Sequence, residues 1–131
     1  MTTSIDRGRL HALLGAEAEQ FVDSHPESAR LHRAALDTLI AGVPMNWMTR
    51  WPGAFPVFAA SASGASITDV DGNAYVDLCL GDTGAMTGHA TPATLAALAE
   101  QSAKGITMML PTDDAIWAGQ ELARRFGLPR W

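Results

Sequence analysis

The dipeptide Asp71-Gly72 constrains the fold of this chain more than any other feature of its sequence. It lies between the segments 65–69 and 74–80, both of which are predicted strands, and glycine supplies the positive φ that such a tight turn requires. The two segments are therefore predicted to pair as antiparallel strands. A further segment, 56–60, precedes them, so the sequence predicts a small antiparallel meander of three strands.

Helical patterns precede this meander. Apolar residues recur within 4–23 at spacings near three, four and seven, which predicts a first amphipathic helix. Ser24 is placed to cap a second helix, which Gly42 is predicted to end. The following segment, 43–56, contains three prolines, and these exclude a continuous helix or a central strand there.

Two more helices are predicted after the meander. Pro92 begins one that runs to about Ala103, and Thr112 caps another that Gly127 ends. Helices and a small antiparallel sheet that follow one another, rather than alternate, predict an α+β arrangement.

Charge and cysteine content exclude several classes of function. The net charge is −5, and Lys104 is the only lysine among nine basic residues, so no basic cluster is available to neutralise the phosphates of a nucleic acid. The single cysteine, Cys79, excludes a disulfide framework and a zinc ribbon, and its place in an apolar run predicts a buried, inert thiol. Neither a signal peptide nor a membrane-spanning segment is recognisable, so we expect a cytoplasmic location and no membrane partner.

Carboxylates and histidines give little support to a metal or catalytic centre. The segment from Asp69 to Asn73 offers closely spaced oxygen ligands, but the later glutamate of a calcium loop is absent. A solvated hairpin turn is favoured, and no metal site is predicted. His89 follows a glycine and precedes a helix, which is typical of a structural hydrogen-bonding residue. No nucleophile motif is present, so no catalytic residue is assigned.

Arg50 and the glycine-rich loop 81–88 are the candidates for ligand binding. Arg50 is the only charged residue from Ile40 through Thr68 and lies between two tryptophans. Its guanidinium is suited either to a bidentate grip on a carboxylate or to stacking on an exposed tryptophan, and both interpretations stay open. In the loop, Asp82 and Thr83 follow an apolar strand, and the glycines permit close approach of a ligand or of another chain.

A series of short motifs occurs in order along the chain: Gly42-Val43, Phe55-Pro56-Val57-Phe58, the stretch Thr68-Asp69-Val70-Asp71-Gly72-Asn73-Ala74-Tyr75-Val76-Asp77, Gly88-His89, Pro92 and Pro111-Thr112. The most specific combination is Asp-Val-Asp-Gly-x-x-Tyr-x-Asp followed by Gly-His. On these motifs the chain, from about residue 28 to residue 131, resembles the N-terminal part of the class III, pyridoxal-phosphate-dependent aminotransferases. The nearest branch is the one typified by glutamate-1-semialdehyde 2,1-aminomutase.

The resemblance implies a fold-type-I enzyme, α/β overall, that binds pyridoxal 5'-phosphate, acts on a small amino-acid-like substrate and forms a homodimer. Several family members place an arginine before the meander against a substrate carboxylate, and Arg50, with Trp51 beside it, matches that position. The loop after the third strand usually holds an aromatic pocket residue, where this chain has Asp82 followed by Thr83. Arg50, Trp51, Asp82 and Thr83 are therefore the expected substrate-binding residues.

The resemblance also implies that the cofactor-binding lysine of the family lies outside this chain. Lys104 is predicted at an exposed helix C-terminus, where a cation favours the helix dipole, and is no substitute. We expect 1–42 to form an N-terminal helical segment, and 43–131 to form the N-terminal part of the small domain with the start of the large domain. The expected function is an N-terminal fragment of an aminotransferase or aminomutase that is not catalytic alone. The alternative is a non-enzymatic dimerisation or interaction module derived from that fold.

Overall fold

The computed structural model describes residues 5–131 and confirms the predicted order of helices, small antiparallel sheet and further helices. The α-helices are α1 (Arg7–Ser24), α2 (Pro26–Ala35), α3 (Pro92–Ser102) and α4 (Asp113–Phe126), and the strands are β1 (Ala59–Ser63), β2 (Ser66–Asp69) and β3 (Ala74–Val76). Two 3-10 helices, Ile40–Gly42 and Asn46–Arg50, lie between α2 and β1 in the sequence. The chain divides into two compact units, the first ending at Thr91 and the second spanning Pro92–Trp131.

Helix α1 is capped at its start by Asp6. The Asp6 carboxylate accepts a hydrogen bond of 3.0 Å from the backbone N–H of Arg9, one of the first-turn groups that have no partner within the helix. The helix ends at Ser24, whose hydroxyl donates to the Gln20 carbonyl at 2.7 Å. The prediction that Ser24 caps the second helix is therefore wrong. The predicted start of α1 at residue 4 lies outside the described residues.

Helix α2 is capped instead by a residue that is distant in the sequence. The two carboxylate oxygens of Asp71, in the β2–β3 turn, accept hydrogen bonds from the backbone N–H groups of Glu27 at 2.6 Å and Ser28 at 3.0 Å. A carboxylate at this end also interacts favourably with the helix dipole. Helix α2 ends at Ala35, before the predicted end near Gly42, and turns lead from it into the first 3-10 helix.

Gly42, at the end of the first 3-10 helix, occupies a position that suits no other residue. It is buried with φ +67°, and a Cβ added there would lie 2.6 Å from Cδ2 of His32. We expect Gly42→Ala to lower the free energy of unfolding by about 2–4 kcal/mol through backbone strain and overpacking. Gly15→Ala within α1, where an added Cβ meets nothing within 4 Å, should instead stabilise the chain by about 0.5–1 kcal/mol. Urea titrations followed by circular dichroism compare the two variants, and equal effects would contradict the prediction.

The strands form a meander in the order β1-β2-β3, and both pairs are antiparallel. Asp71-Gly72 lies in the β2–β3 turn, with Gly72 at φ +88°, as the sequence predicts. The first strand is displaced from the predicted 56–60 to Ala59–Ser63. The β1–β2 turn lies at Gly64 and Ala65, so that Ser63 pairs with Ser66, and the register shifts between Ala59 and Ser61.

Strand β3 ends at Val76, earlier than the predicted end at Leu80, because Asp77 turns the chain. The Oδ1 atom of Asp77 accepts hydrogen bonds from the backbone N–H groups of Cys79 at 2.8 Å and Leu80 at 2.9 Å. A side chain that satisfies two backbone groups in this way competes with strand pairing. Cys79 therefore lies in a turn with its thiol exposed, and the prediction of a buried thiol in an apolar strand is wrong.

The second unit consists of α3, α4 and their connection. Gly127 follows α4 in the left-handed conformation, at φ +69°, as predicted. Thr112 is at the N-cap position of α4, but its side chain makes no capping hydrogen bond. Acidic residues occupy the first turn of α4 and basic residues the last, and Arg124 and Arg125 both pair with Glu121. This order of charge is favourable for the helix dipole.

Most large apolar side chains of the described residues are exposed. Within residues 5–131, Val43 is the only hydrophobic residue that is buried. The accessible surface of the chain is 10904 Å², whereas two separate compact bodies of these sizes would expose about 7,900 Å². None of the helices in 5–131 combines the length and the hydrophobicity that a membrane crossing requires. The division into segments 1–42 and 43–131 stays a prediction.

Candidate functional site

A group of polar side chains, here called the hairpin cluster, joins the end of α1 to the β2–β3 hairpin and consists of His25, Asp69, Asn73 and Tyr75. Asp69 is at its centre and is 2% exposed. Its carboxylate accepts hydrogen bonds from the Tyr75 hydroxyl at 2.7 Å, from the Asn73 amide at 3.0 Å and from two backbone N–H groups. Among the described residues no buried side-chain nitrogen or oxygen lacks a hydrogen-bond partner, so the cluster is fully satisfied.

His25 connects the hairpin cluster to α1. Its Nε2 lies 2.6 Å from the Tyr75 hydroxyl and 3.4 Å from Oδ2 of Asp69. Its Nδ1 lies 2.7 Å from the Phe21 carbonyl, and because a carbonyl oxygen only accepts, this nitrogen carries the hydrogen. The Phe21 ring also stacks on the imidazole, with centroids 4.4 Å apart. These contacts attach the helix to the meander through polar and aromatic groups together.

Burial and hydrogen bonding shift the pKa of Asp69 in opposite directions. Burial raises the pKa of this carboxyl, but the hydrogen bonds from Asn73, Tyr75 and the backbone outweigh burial and hold the pKa below its usual value of 3.8. The folded chain therefore favours the ionised form. Because the pKa is lower in the folded state, the resulting stability is present above the unfolded pKa and is lost as the pH falls through the folded pKa.

Tyr75 is the only tyrosine of the chain, so its titration can be followed directly. Burial, then the hydrogen bond to Asp69 and the charge of that carboxylate, raise the pKa of Tyr75 to about 12. We expect the ultraviolet absorbance of tyrosinate to show that midpoint in the folded chain and the ordinary value of 10.0 in denaturant. Asp69→Asn should lower the folded midpoint. A folded chain whose tyrosine titrates at the ordinary value would contradict the hydrogen bond between Tyr75 and Asp69.

The segment from Asp69 to Asn73 forms a hairpin turn, as predicted, but the turn is not solvated as a whole. Asp69 is buried in the hairpin cluster, and both carboxylate oxygens of Asp71 are bonded to α2. Within residues 5–131, no group of three or more His, Cys, Asp or Glu side chains is arranged to hold a metal ion. The carboxylates of this turn therefore organise the fold.

Arg50 ends the second 3-10 helix, and Trp51 follows it directly. The indole rings of Trp47 and Trp51 meet edge to face, with centroids 5.6 Å apart and an angle of 63° between their planes. Among the described residues, the Arg50 guanidinium has no hydrogen-bond or ion-pair partner. Its charge is therefore available to a ligand.

Trp51 lines two adjoining depressions with volumes of about 220 and 260 Å³. The two depressions share Val43, Met48, Trp51 and Pro56, and aliphatic and aromatic side chains dominate their walls. Arg50 lines neither of them. The structure thus places an unpaired cation directly before a tryptophan that lines two apolar depressions.

Asp82 and Thr83 lie in an exposed loop, 80–88, as expected of residues after the last strand. The base of this loop is closed by His89, whose Nε2 lies 2.6 Å from Oδ2 of Asp77. This hydrogen bond, followed by those from two backbone N–H groups, holds the pKa of Asp77 below its usual range. His89 is therefore a structural hydrogen-bonding residue, as its position in the sequence predicts.

The four expected substrate-binding residues fall into two pairs that the structure does not bring into one depression. Trp51 lines the two depressions described above, while Asp82 and Thr83 line neither. The assignment of Arg50, Trp51, Asp82 and Thr83 to a substrate site stays a prediction.

Two polar residues that the sequence pattern did not single out, His25 and Ser28, prove central to the first unit, and so does Tyr75, which the sequence presented only as part of the family motif. Ser28 is fully buried, and its hydroxyl accepts a hydrogen bond of 3.2 Å from the backbone N–H of Phe58. The sequence offers no advance signal for the burial of His25 and Ser28 beyond their residue types. Exposed serines and histidines are common, so residue type alone does not distinguish a buried serine or histidine from an exposed one.

Lys104 does not fit the role of a cofactor-binding lysine. It is exposed, and its Nζ donates a hydrogen bond of 2.6 Å to Glu100. That hydrogen bond, followed by the charge of Glu100, raises the pKa of Lys104. Imine formation with pyridoxal phosphate needs an unprotonated amine, whereas these surroundings stabilise the protonated form.

Known proteins similar to this chain agree with its motifs. The family model for aminotransferase class-III matches residues 47–128. A glutamate-1-semialdehyde 2,1-aminomutase 1 from Cenarchaeum symbiosum (strain A) is 37% identical over 97 residues, which cover 74% of this chain and 22% of the relative.

Solved structures extend the similarity to nearly the whole chain. A glutamate-1-semialdehyde-aminomutase from Pseudomonas aeruginosa PAO1 is 47% identical with a TM-score of 0.89, and the match covers 98% of this chain and 28% of that one. A second structure of the enzyme, in complex with PMP, matches equally well. An omega-transaminase from Sphaerobacter thermophilus is 30% identical, with a TM-score of 0.66, over 75% of this chain and 22% of that one.

The extent of these matches decides the family. The chain spans only 22% to 28% of the length of the relatives it matches. The activity of each complete relative therefore depends on many residues outside the matched segment. The family model nevertheless covers well over half of this chain. The match includes the meander, the loop 80–88 and both helices of the second unit. This chain therefore belongs to the class III aminotransferase family.

Proposed function

We propose that this chain forms the N-terminal part of a pyridoxal-phosphate-dependent aminotransferase or aminomutase of the glutamate-1-semialdehyde aminomutase branch. The observation that supports this most strongly is the 47% identity to the Pseudomonas aeruginosa enzyme across 98% of this chain. In the complete enzyme, bound pyridoxal 5'-phosphate supplies the chemistry of amino-group transfer. The chain alone is not catalytic, because its one lysine is exposed and paired with Glu100.

Arg50 and Trp51 are proposed to bind the carboxylate of a small amino-acid-like substrate. The unpaired guanidinium can bind a carboxylate by donating two parallel hydrogen bonds to it, and the indole beside it limits the access of water. Asp82 and Thr83 are proposed to contribute polar contacts to the same substrate from the loop 80–88. We further propose a homodimer and a cytoplasmic location for the complete enzyme.

A chimaeric enzyme tests the proposed function. In it, this chain replaces the corresponding segment of the Pseudomonas aeruginosa enzyme. The chimaera is expected to show the absorbance of bound cofactor and to transfer amino groups. The isolated chain, incubated with pyridoxal phosphate and borohydride, is expected to show no reduced lysine adduct by mass spectrometry. A chimaera that folds and binds the cofactor but transfers no amino group would overturn the function. An adduct on Lys104 would overturn the claim that the chain alone is inactive.

The same chimaera tests the role of Arg50. Replacing it with methionine should raise the KM for a carboxylate substrate by about 10- to 150-fold, the effect of losing hydrogen bonds to a charged group. The matched control is Arg33→Met, since Arg33 is an exposed arginine of α2. Equal KM values for the two variants would exclude Arg50 from the substrate site and would leave the family assignment unaffected.

A non-enzymatic dimerisation or interaction module is the second candidate function. It is favoured by the exposed apolar side chains of both units, which are typical of surfaces that another chain covers. Sedimentation of the chain mixed with the intact Pseudomonas aeruginosa enzyme separates the two functions. A mixed complex supports the module, whereas unchanged sedimentation of both components contradicts it.

A further inference from the structure

Four consecutive residues at the start of the loop 80–88 adopt the left-handed conformation. Leu80, Gly81, Asp82 and Thr83 have φ values of +56°, +56°, +52° and +88°. L-residues other than glycine avoid this region for steric reasons, and a β-branched threonine there is a clear outlier. We call residues 80–83 the left-handed turn. Because strain of this kind persists only where the surrounding structure holds it, neighbouring contacts have to account for it.

The Asp77–His89 pair holds the two ends of the loop together. Oδ2 of Asp77 lies 2.6 Å from Nε2 of His89, and Oδ1 accepts the backbone N–H groups of Cys79 and Leu80. The backbone of His89 is also bonded to that of Gly64 in both directions, at 2.8 and 2.9 Å. The Asp77 side chain is 5% exposed, so competition from water is small.

Two backbone hydrogen bonds close the left-handed turn and provide a way to observe it. The N–H of Ala85 donates to the Leu80 carbonyl at 2.9 Å, and the N–H of Gly84 donates to the Gly81 carbonyl at 3.1 Å. Asp82 and Thr83 themselves are exposed. The strained backbone is therefore concentrated at the residues whose side chains the loop presents.

We propose that Asp77 and His89 are positioning residues: by holding the left-handed turn, they set the direction in which Asp82 and Thr83 face the substrate. The substrate part of this proposal rests on the proposed function. The claim that the pair holds the left-handed turn is independent of that function, and it is tested on the 131-residue chain without substrate or cofactor. Failure of one is therefore distinguishable from failure of the other.

The test replaces His89 with phenylalanine, which keeps a ring and removes the hydrogen bond to Asp77. We expect hydrogen exchange at the amides of Gly84 and Ala85 to become about tenfold faster, the effect of one lost hydrogen bond. A positive φ brings an amide hydrogen close to the α-hydrogen of the same residue. The strong intraresidue nuclear Overhauser effects expected for Asp82 and Thr83 should therefore weaken. The matched control is His11→Phe on the exposed face of α1, which should change neither signal.

A double-mutant cycle separates positioning from general stabilisation. Glycine adopts the left-handed conformation without strain, so in a background of Leu80→Gly, Asp82→Gly and Thr83→Gly the left-handed turn no longer needs to be held. There, His89→Phe should leave the exchange of Gly84 and Ala85 nearly unchanged. A tenfold acceleration that persists in the glycine background would overturn the proposal, as would unchanged exchange in the single variant.

Milder replacements keep the test decisive if the phenylalanine variant does not fold. His89→Gln offers an amide N–H to Asp77 and is expected to restore slow exchange. Asp77→Asn weakens the same hydrogen bond by removing its charge, and it is expected to accelerate exchange less than His89→Phe does. Fast amide exchange in the His89→Gln variant, or unchanged exchange in the Asp77→Asn variant, would contradict the positioning role of the pair.

Discussion

Replacing Asp69 with alanine is expected to lower the free energy of unfolding of the first unit by about 3–5 kcal/mol, because it leaves buried donors without an acceptor. The Tyr75 hydroxyl, the Asn73 amide and two backbone N–H groups all lose the Asp69 carboxylate as an acceptor at once. His25 also loses the carboxylate 3.4 Å from its Nε2. Urea titration followed by circular dichroism measures the loss, since the midpoint shifts in proportion to it.

Asp37→Ala is the matched control for this variant. Asp37 is an exposed carboxylate beyond the end of α2, and a surface substitution of this kind changes stability by only about 0.5 kcal/mol or less. Asp69→Asn should fall between the two, because the amide keeps one acceptor oxygen and loses the charge. If the Asp69→Ala variant unfolds at the same urea concentration as the Asp37→Ala control, the hairpin cluster does not stabilise the fold.

Replacing both Trp117 and Phe126 of α4 with glutamine is expected to weaken self-association of the chain by about 10- to 150-fold. The two side chains are 67% and 64% exposed, and because they are nine residues apart they lie on opposite faces of the helix, so one second copy covers one of them. Each contributes about 1.5–3 kcal/mol when another surface covers it, and about 1.4 kcal/mol corresponds to a tenfold change in affinity. Glutamine is chosen because it favours the helix and is polar. Sedimentation velocity over a range of concentrations measures the change.

The control for that experiment places the same glutamines at Ala115 and Ala118, which are exposed positions of the same helix. These substitutions add polar volume without removing a large apolar surface, so self-association should persist. If the unaltered chain sediments as a single 13.9 kDa species at every concentration, neither Trp117 nor Phe126 mediates association with a second copy.

Features determined by neighbouring residues were predictable from the sequence. Gly72 and Gly127 have the positive φ that their turns require, and Pro92 begins a helix because its missing N–H costs nothing there. Each depends only on residues a few positions away. The same holds for the charges at the two ends of α4.

Features determined by distant residues were not predictable in this way. Ser24 has the composition of a helix cap, yet Asp71 performs that role, because folding brings the hairpin turn to the start of α2. Strand β3 ends early because Asp77 bonds to the backbone ahead of it and to His89, a residue beyond the loop. Local propensity contains no information on such pairings.

The candidate site shows the same division. The isolation of Arg50 in an uncharged stretch was visible in the sequence, and in the structure its guanidinium has no partner among the described residues. The left-handed turn at Asp82 and Thr83 was not foreseeable, because a β-branched threonine rarely adopts a positive φ and the conformation depends on a pair of side chains at the base of the loop.

The cap of α2 has a consequence for synthesis on the ribosome. Glu27 and the Asp71 carboxylate that it binds are 44 residues apart. At a translation rate of about 5–20 residues per second, α2 is complete several seconds before its cap has been made. A short helix without a cap is marginal in water. We therefore expect the nascent chain to keep this segment largely unfolded until the hairpin has left the exit tunnel, after which α1, α2 and the meander form as one cooperative unit.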